Sequence, residues 1–210
     1  MGPPWIQAFQ VVDGKPLWKT HLGPSKWVSL GVEAQGRYCL TADKNVMALD
    51  LAKGEVVWKQ EVGSSLTGDD KQLFSLRFGS FGGATLVALE PATGRMVWER
   101  KGISTLPWTQ DGRAYVVEDA AVRCLDVADG KQLWVLVMAK PAPWPPMMIG
   151  SQLFVASPDG KTTVLRSLDP ATGKEAWSTT VNAKPGSGQF VADAAGILFP
   201  GRDGEVICLK

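Results

Sequence analysis

One phrase recurs along this chain and limits what the chain can fold into. It reads ALEPATGRMVW at residues 88–98, and variants of it begin at residues 8, 48, 124 and 167. In each copy a glycine stands four residues before a tryptophan, and successive tryptophans are spaced 40, 40, 36 and 43 residues apart. The tryptophans are Trp18, Trp58, Trp98, Trp134 and Trp177, and the glycines are Gly14, Gly54, Gly94, Gly130 and Gly173. Such a period is typical of repeat architectures, in which each repeat buries its apolar faces against its neighbours.

The residues in and between the copies favour β-strands over helices. Each copy runs from an apolar segment through a glycine-containing turn into a second segment that carries the tryptophan. Two further runs lie between copies, such as WVSLGVEA and RYCLTAD around Gln35-Gly36, or LPWTQ and RAYVVED around Asp111-Gly112. Short β-branched and aromatic runs bounded by Gly, Asp and Pro predict strands. Four strands per repeat predict an all-β protein made of β-propeller blades.

The tryptophan has a physical role in such a blade. A four-stranded sheet has two apolar faces, so blades must stack, and the indole is predicted to pack on the next blade with its N–H donating to a backbone carbonyl there. The first residue of each copy is small and is predicted to lie where two sheets approach closely. Cys124 and Cys208 occupy this position and are therefore interpreted as packing residues, and Cys39 as a strand core residue. These first residues are Ala8, Ala48, Ala88, Cys124, Ser167 and Cys208.

Counted as strands, residues 1–210 predict a single domain of about five four-stranded blades. The chain begins with the last two strands of a blade, four whole blades follow, and two or three strands of another end it. Either these ends join into a closed five-blade ring or the chain is an arc of a larger propeller. We favour the closed ring because it removes exposed sheet edges. One detail resists closure, since IQAFQ and EVICLK correspond to the same strand of a blade.

The pattern A-L-D-x-x-T-G-x-x-x-W resembles the tryptophan-docking repeat of the quinoprotein (PQQ-like) β-propellers. The copy at 167–177 departs from it only at Ser167, whereas other copies carry Lys53, Asp13 or Asp129 in place of threonine. Within that family the chain is similar to the lipoprotein of the outer-membrane barrel-assembly machinery and to sensor propellers attached to membrane kinases. This resemblance implies a non-enzymatic scaffold outside the cytoplasm. The first residues show neither a signal peptide nor a lipobox cysteine.

The same resemblance raises an enzymatic alternative, a dehydrogenase that oxidises an alcohol or sugar with bound PQQ and calcium. The alcohol dehydrogenases of the quinoprotein family typically carry an adjacent cysteine pair and eight blades. This chain has no adjacent cysteine pair. The aspartates stand mostly in repeat turns, where they usually bond their own backbone. We therefore assign no catalytic, metal-binding or cofactor-binding residue. The turn aspartates are Asp43, Asp50, Asp126, Asp159, Asp169 and Asp203.

Composition and motifs argue against other functions. The 22 basic and 21 acidic residues balance, unlike the basic surface of a nucleic-acid-binding protein. No apolar run approaches the length of a transmembrane helix. The only histidine, His21, has no partner motif for catalysis, and the three cysteines show neither a disulfide nor a zinc pattern. GSFGGATL at 79–86 joins two predicted strands and is interpreted as a hairpin turn, not a phosphate loop.

Binding of a protein or peptide partner remains, and the tryptophans outside the repeat are the candidate anchors. Trp27, Trp108 and Trp144 fall at or just before the innermost strand of three blades, and exposed tryptophans commonly anchor interfaces. Trp144 lies in AKPAPWPPMM, where Pro143 and Pro145 favour a polyproline II conformation. We predict partner binding by these five residues, with local packing and a rigid interblade connector as alternatives. The oligomeric state is open.

The three candidate tryptophans are not one repeated feature. Aligned on the strand that follows, Trp108 matches Val32 and Met147 and does not match Trp27 or Trp144. The sequence therefore predicts that a common surface, if one exists, is built from different positions of the repeat.

Overall fold

The computed structural model describes residues 4–79, 83–103, 105–184, 191–193, 196–202 and 206–209. All the regular secondary structure of these residues is β-strand, and no helix among them is long and apolar enough to span a membrane. The chain divides into two compact units, Met1–Gly102 and Ile103–Lys210. The organisation of residues 1–210 as a single domain stays a prediction.

The first unit contains one two-stranded and two four-stranded antiparallel sheets in which neighbours along the chain are neighbours in the sheet. The strands of the hairpin are β1 (Trp5–Phe9) and β2 (Pro16–His21). The first four-stranded sheet contains β3 (Val28–Ala34), β4 (Arg37–Ala42), β5 (Asn45–Asp50) and β6 (Val56–Glu61). The second contains β7 (Leu66–Gly68), β8 (Leu73–Phe78), β9 (Ala84–Leu89) and β10 (Met96–Lys101).

The second unit continues the same pattern with two four-stranded sheets and one three-stranded sheet. The third four-stranded sheet contains β11 (Trp108–Gln110), β12 (Arg113–Glu118), β13 (Ala121–Asp126) and β14 (Gln132–Val137). The fourth contains β15 (Met147–Ile149), β16 (Gln152–Asp159), β17 (Thr162–Leu168) and β18 (Glu175–Val181). The last sheet contains β19 (Val191–Asp193), β20 (Gly196–Pro200) and β21 (Val206–Leu209). Closure of the two incomplete sheets into a fifth blade stays a prediction.

The strands predicted between the copies are confirmed, together with their turns. Gln35 and Gly36 join β3 to β4 with φ values of 51° and 71°, and Asp111 and Gly112 join β11 to β12 with 50° and 75°. Positive φ at both central residues matches the twist of a two-residue hairpin. The hairpin predicted at 79–86 joins β8 to β9, with Phe78 opposite Ala84, although its residues 80–82 lie outside the described ranges.

The predicted docking of the tryptophans is confirmed for three copies. The Nε1–H groups donate to the carbonyl oxygen of Leu51 from Trp18 (2.8 Å), of Pro91 from Trp58 (2.9 Å) and of Pro170 from Trp134 (2.9 Å). Each accepting residue stands three positions before the glycine of the following copy. The indole of one repeat therefore packs on the turn of the next, which explains why the glycine and the tryptophan recur together.

The turn glycine is required by this packing as well as by its φ. A Cβ atom on Gly54 would lie 2.4 Å from the Trp18 ring, and one on Gly94 would lie 2.5 Å from the Trp58 ring. Gly173 stands in the same relation to Trp134, at 2.6 Å. Any larger residue would displace the indole that it receives. Docking of Trp98 and Trp177 stays a prediction. For Trp177, the next copy begins at Cys208, so the turn on which it is predicted to pack is not among the described residues.

The small first residue of each copy lies opposite the tryptophan on the neighbouring strand of the same sheet, as Ala48 lies opposite Trp58. Cys124 pairs in this way with Trp134 and is buried, and Cys39 is buried too, as predicted. The prediction is wrong for Cys208, which is exposed. Among the described strands β21 pairs only with β20, so the tryptophan-bearing strand that covers the equivalent residue elsewhere is missing from its side.

The hydrophobic cores lie between consecutive sheets, as stacked blades require. In the first unit one core cluster combines residues of the two four-stranded sheets, including Cys39, Ala48, Leu73 and Val87. In the second unit another cluster combines Val122 of β13 with Val155 and its neighbours of β16.

Candidate partner-binding cleft

Three segments of the first unit meet at one end of the sheet β3–β6. They are the start of β3, the turn between β4 and β5, and the connector that leads from β6 to β7. Together they form an open cleft of about 500 Å³, which we name the Trp27 cleft. It is lined by Trp27, Val28, Ser29, Thr41, Asp43, Lys44 and Ser64. An adjoining cleft of about 210 Å³ shares Lys44 and Ser64 and adds Glu61, Gly63, Arg77 and Phe78.

Trp27 is the most prominent side chain of this cleft, because it is 79% exposed while its backbone is fixed. The N–H groups of Lys26 and Trp27 donate to Oδ1 of Asp43 at 3.1 and 3.0 Å. The N–H of Asp43 in turn donates to the Trp27 carbonyl oxygen at 2.8 Å. Asp43 has a φ of 56°, a left-handed conformation that aspartate tolerates better than most residues. The indole is therefore presented to solvent by a loop whose position is set.

Hydroxyl groups form the floor of the Trp27 cleft. Oγ of Ser29 lies 2.5 Å from Oγ1 of Thr41, and the Thr41 hydroxyl donates to the carbonyl oxygen of Ser64 at 3.3 Å. Thr41 lies on β4 and is almost fully buried. Its hydroxyl group therefore links β3 to the connector through two hydrogen bonds. The floor is thereby a fixed surface.

The connector itself is held to both four-stranded sheets. The Gly63 N–H donates to the Lys44 carbonyl oxygen at 3.1 Å, and the Ser64 N–H donates to that of Leu76 at 3.2 Å. A Cβ atom on Gly63 would lie 2.4 Å from the Leu76 oxygen, so only glycine allows the connector to pass so close to β8. The loop of Trp27, the β4–β5 turn and the connector that form the cleft are therefore all held by backbone hydrogen bonds.

The charges around the Trp27 cleft are unequally compensated. The Asp43 carboxylate is engaged by backbone N–H groups, and Arg77 forms an ion pair with Glu99 at 2.6 Å. Lys44 is exposed and has no ion pair among the described residues. Glu61 is likewise exposed, but it lines only the adjoining cleft. The larger cleft thus combines an exposed indole, neutral hydroxyls, the Asp43 carboxylate and the Lys44 ammonium group.

The other predicted anchors differ in exposure. Trp108 is 39% exposed on β11, within the second unit, whereas Trp27 belongs to the first. The structure confirms the alignment of Trp108 with Val32 and Met147, since these residues lie opposite Tyr115, Cys39 and Phe154 at matching positions.

For Trp144 the exposure that we expected of an interface anchor is wrong. Its side chain is only 8% exposed and packs in a cluster with Phe154, Leu165 and Ile197. Residues 138–146 connect β14 to β15, so the alternative of a connector with a locally packed tryptophan describes this segment. Pro143 is exposed and Pro145 half-buried, and their contact with a partner stays a prediction.

Two of the cysteine thiols are buried, and a carboxylate of a repeat turn is occupied by hydrogen bonds. Burial raises the pKa of the Cys39 and Cys124 thiols to about 11, which keeps them protonated at neutral pH. The Asp169 carboxylate accepts the N–H and hydroxyl groups of Thr172 at 2.8 and 3.0 Å and the N–H of Ala171 at 2.9 Å, and these bonds hold its pKa below the ordinary value. No group of three or more His, Cys, Asp or Glu within the described ranges is arranged to hold a metal ion.

Three of the predicted turn aspartates bond their own backbone, the carboxylates of Asp43 and Asp159 do not, and Asp203 lies outside the described residues. Asp50 and Asp126, like Asp169, accept backbone N–H groups of their own turns. Asp43 instead bonds a loop 16 and 17 residues earlier in the chain. Its role in fixing Trp27, and the places of Lys44 and Ser64 beside it, carry no local signal that sequence reasoning could have used.

Comparison with known proteins assigns the family. A family model described as outer membrane protein assembly factor BamB matches residues 4–77 and 42–209. The chain belongs to this family. A curated outer membrane protein assembly factor BamB from Nitrosomonas eutropha is 28% identical over 183 residues, which are 81% of this chain and 44% of that protein. The chain thus spans less than half the length of the curated relative that it matches.

Solved structures agree on the fold. The crystal structure of BamB from Moraxella catarrhalis matches with a TM-score of 0.75 at 16% identity, covering 98% of this chain and 64% of that one. The quinohemoprotein alcohol dehydrogenase from Comamonas testosteroni matches with a TM-score of 0.59 at 15% identity, covering 86% and 40%. The chain is an all-β, PQQ-like β-propeller repeat protein. At such low identity both likenesses concern the fold alone.

Proposed function

We propose that this member of the BamB family is a non-enzymatic propeller scaffold that acts outside the cytoplasm in outer-membrane protein assembly. It binds a protein partner through the Trp27 cleft. Family membership and the similarity to an assembly factor of Nitrosomonas eutropha support the process. The geometry of the cleft supports the mode of action.

The observation that carries this proposal is the exposed indole on a fixed loop. Tryptophan is the side chain that most often dominates the binding energy of an interface. Leaving it 79% exposed forfeits the gain from burial within the fold, whereas Trp58 and Trp134 of the same chain are docked. The hydrogen bonds from Lys26 and Trp27 to Asp43 order the loop in advance, which lowers the entropy cost of association.

The rival function is a quinone-dependent alcohol dehydrogenase, the activity for which the Comamonas testosteroni enzyme of similar fold is named. Addition of PQQ and calcium, followed by assay of dye-coupled alcohol oxidation, separates the two. We expect neither a bound quinone spectrum nor oxidation.

The experiment that tests the scaffold is quantitative capture of partners from outer-membrane extracts of the source organism with the immobilised protein. We expect Trp27→Ala to lower capture of a specific partner about tenfold, as loss of an interface anchor does. Trp5→Ala is the matched control, because Trp5 is also exposed (52%) but lies on β1 and does not line the cleft. Equal capture by wild type and Trp27→Ala would contradict the proposal.

A further inference from the structure

We propose that the turn at residues 10–14 binds the Trp177 side chain of a second copy of this chain. This turn, which we name the first turn, belongs to the first copy of the repeated phrase, and Trp177 belongs to the fifth. Each is one half of the docking contact that other copies complete. The inference does not depend on the Trp27 cleft or on the proposed function.

The first turn has the geometry of the turns that hold an indole. The N–H of Gly14 donates to the Gln10 carbonyl oxygen at 2.8 Å. The corresponding bond from Gly54 to Asp50 measures 2.7 Å. The φ of Gly14 is 69°, against 73° at Gly54 and 70° at Gly94. The first turn is therefore already shaped to receive an indole, which lowers the cost of binding one.

The first turn holds no indole among the described residues. A Cβ atom on Gly14 would have nothing within 4 Å, whereas one on Gly54 would lie 2.4 Å from the Trp18 ring. The Val11 carbonyl oxygen stands three positions before the glycine, like the acceptors of the docked indoles, and accepts no hydrogen bond from a described residue. Val11 and Val12 are 101% and 90% exposed. An indole placed on this turn would remove apolar surface from water.

Trp177 on β18 is the complementary half of the contact. Its ring centroid lies 5.7 Å from that of Phe154. The docked Trp134 lies at a similar distance, 6.0 Å, from Tyr115. Trp177 also stands opposite a small residue, Ser167, as the docked tryptophans do. Its side chain is nevertheless 44% exposed, and its Nε1–H has no acceptor among the described residues. The indole is thus held by its own sheet and lacks only a turn that receives it.

A second contact makes Trp177 specific for this turn. Thr20, two residues after the first docked tryptophan, donates from Oγ1 to the Gly54 carbonyl oxygen at 2.5 Å. Of the other repeat tryptophans only Trp177 is followed at this spacing by a threonine, Thr179. The Thr179 side chain is exposed and makes no hydrogen bond to a described residue. In a second copy it can donate to the Gly14 carbonyl oxygen as Thr20 does to that of Gly54.

These requirements select a second copy as the partner. The other exposed tryptophans of the chain, such as Trp5 and Trp27, do not follow a repeat glycine on an outer strand. Asp13 and Lys15 at the first turn form an ion pair at 2.8 Å, so their charges compensate each other and do not oppose docking. The contact joins two different surfaces, so it is heterologous and leaves each copy with one half still available.

Self-association is measured by sedimentation over a range of protein concentrations, with the indole N–H resonances of the ¹⁵N-labelled protein as the local probe. We expect the average mass to rise with concentration and the Trp177 signal, assigned by its loss in Trp177→Phe, to move in parallel. Trp177→Ala should weaken association at least about tenfold, as loss of an interface anchor does. Trp177→Phe keeps an aromatic ring but lacks the N–H and should weaken it about fivefold. Trp27→Ala is the control for loss of an exposed indole and should leave association unchanged.

The first turn is tested by Gly14→Ala, with Gly36→Ala as the matched control. The two glycines have φ values of 69° and 71°, and a Cβ atom on either would have nothing within 4 Å. Both variants therefore acquire the same left-handed strain. Only Gly14→Ala places a Cβ where the incoming ring would lie, so it alone should weaken association, by about tenfold. Unshifted indole resonances of Trp18, Trp58 and Trp134 show that the variants remain folded.

A mixture of the two deficient variants gives the decisive arm. Trp177→Ala retains the first turn and Gly14→Ala retains the indole, so together they should form a one-to-one dimer and no larger species. Failure of the mixture to associate, or equal association by wild type and Gly14→Ala, overturns the inference. So does a Trp177 signal that is independent of concentration while the mass stays that of one chain. Loss of association in Trp27→Ala overturns it in favour of contact through the Trp27 cleft.

Discussion

Trp58 and Trp27 are the same residue type within one compact unit, and they lie in opposite surroundings. Trp58 is 8% exposed, donates to the Pro91 carbonyl oxygen and lies on Gly94 of the next sheet. Trp27 is 79% exposed, and only its backbone is held, through Asp43. Docking requires two features of the neighbouring sheet. A glycine must leave room for the ring, and a carbonyl oxygen must accept the indole N–H. Where the chain provides neither, the indole remains available to another molecule.

The strongest challenge to this comparison is truncation of each indole. Trp58→Ala should lower the free energy of unfolding by about 3–5 kcal/mol, because it leaves a cavity between two sheets and an unpaired carbonyl oxygen. Trp27→Ala should change it by less than about 0.5 kcal/mol, as exposed substitutions do. Urea denaturation followed by far-UV circular dichroism measures both, without relying on tryptophan fluorescence. Similar losses from the two variants would show that Trp27 is a structural residue.

Substitution of Gly94, on which the Trp58 indole packs, should give the next largest loss in the free energy of unfolding. Gly94→Ala should cost about 2–4 kcal/mol, because the new Cβ adds left-handed strain and overlaps the Trp58 ring. Gly36→Ala is the matched control, since Gly36 has almost the same φ, 71° against 70°, but open space around its Cβ position. It should cost about 1 kcal/mol, from the backbone alone. Equal costs in the same denaturation experiment would mean that the indole does not need the glycine.

This comparison also explains how much the sequence could predict. The strands, the turns and the docking of Trp18, Trp58 and Trp134 are predictable because each repeat solves the same packing problem with the same residues. The fate of Trp144 is not, because its burial depends on Phe154 and Ile197, which come from other strands.

In the candidate site, too, the sequence could not predict contacts between residues of different strands. The sequence identifies Trp27 as a tryptophan outside the repeat and Asp43 as a turn residue. It gives no sign that the Asp43 carboxylate reaches the loop of Trp27, since that contact depends on how β3 and β4 pair. Cys208 shows the reverse case, in which a residue that fits the repeat is exposed because the strand that would cover it is absent from the described sheet.

The smallest predicted effect concerns the loop that presents Trp27. Asp43→Gly keeps the left-handed turn accessible but removes the carboxylate that accepts from Lys26 and Trp27. We expect a loss of about 1 kcal/mol in stability, the net contribution of such partly solvated hydrogen bonds, and a lower ¹⁵N heteronuclear NOE for the Trp27 backbone. Asp119→Gly is the control, because Asp119 has a φ of 53° in the β12–β13 turn and its carboxylate makes no hydrogen bond to any described residue. An unchanged NOE in Asp43→Gly would mean that the Trp27 loop is ordered by other contacts, and the fixed presentation that distinguishes Trp27 from an ordinary surface tryptophan would have to be explained without Asp43.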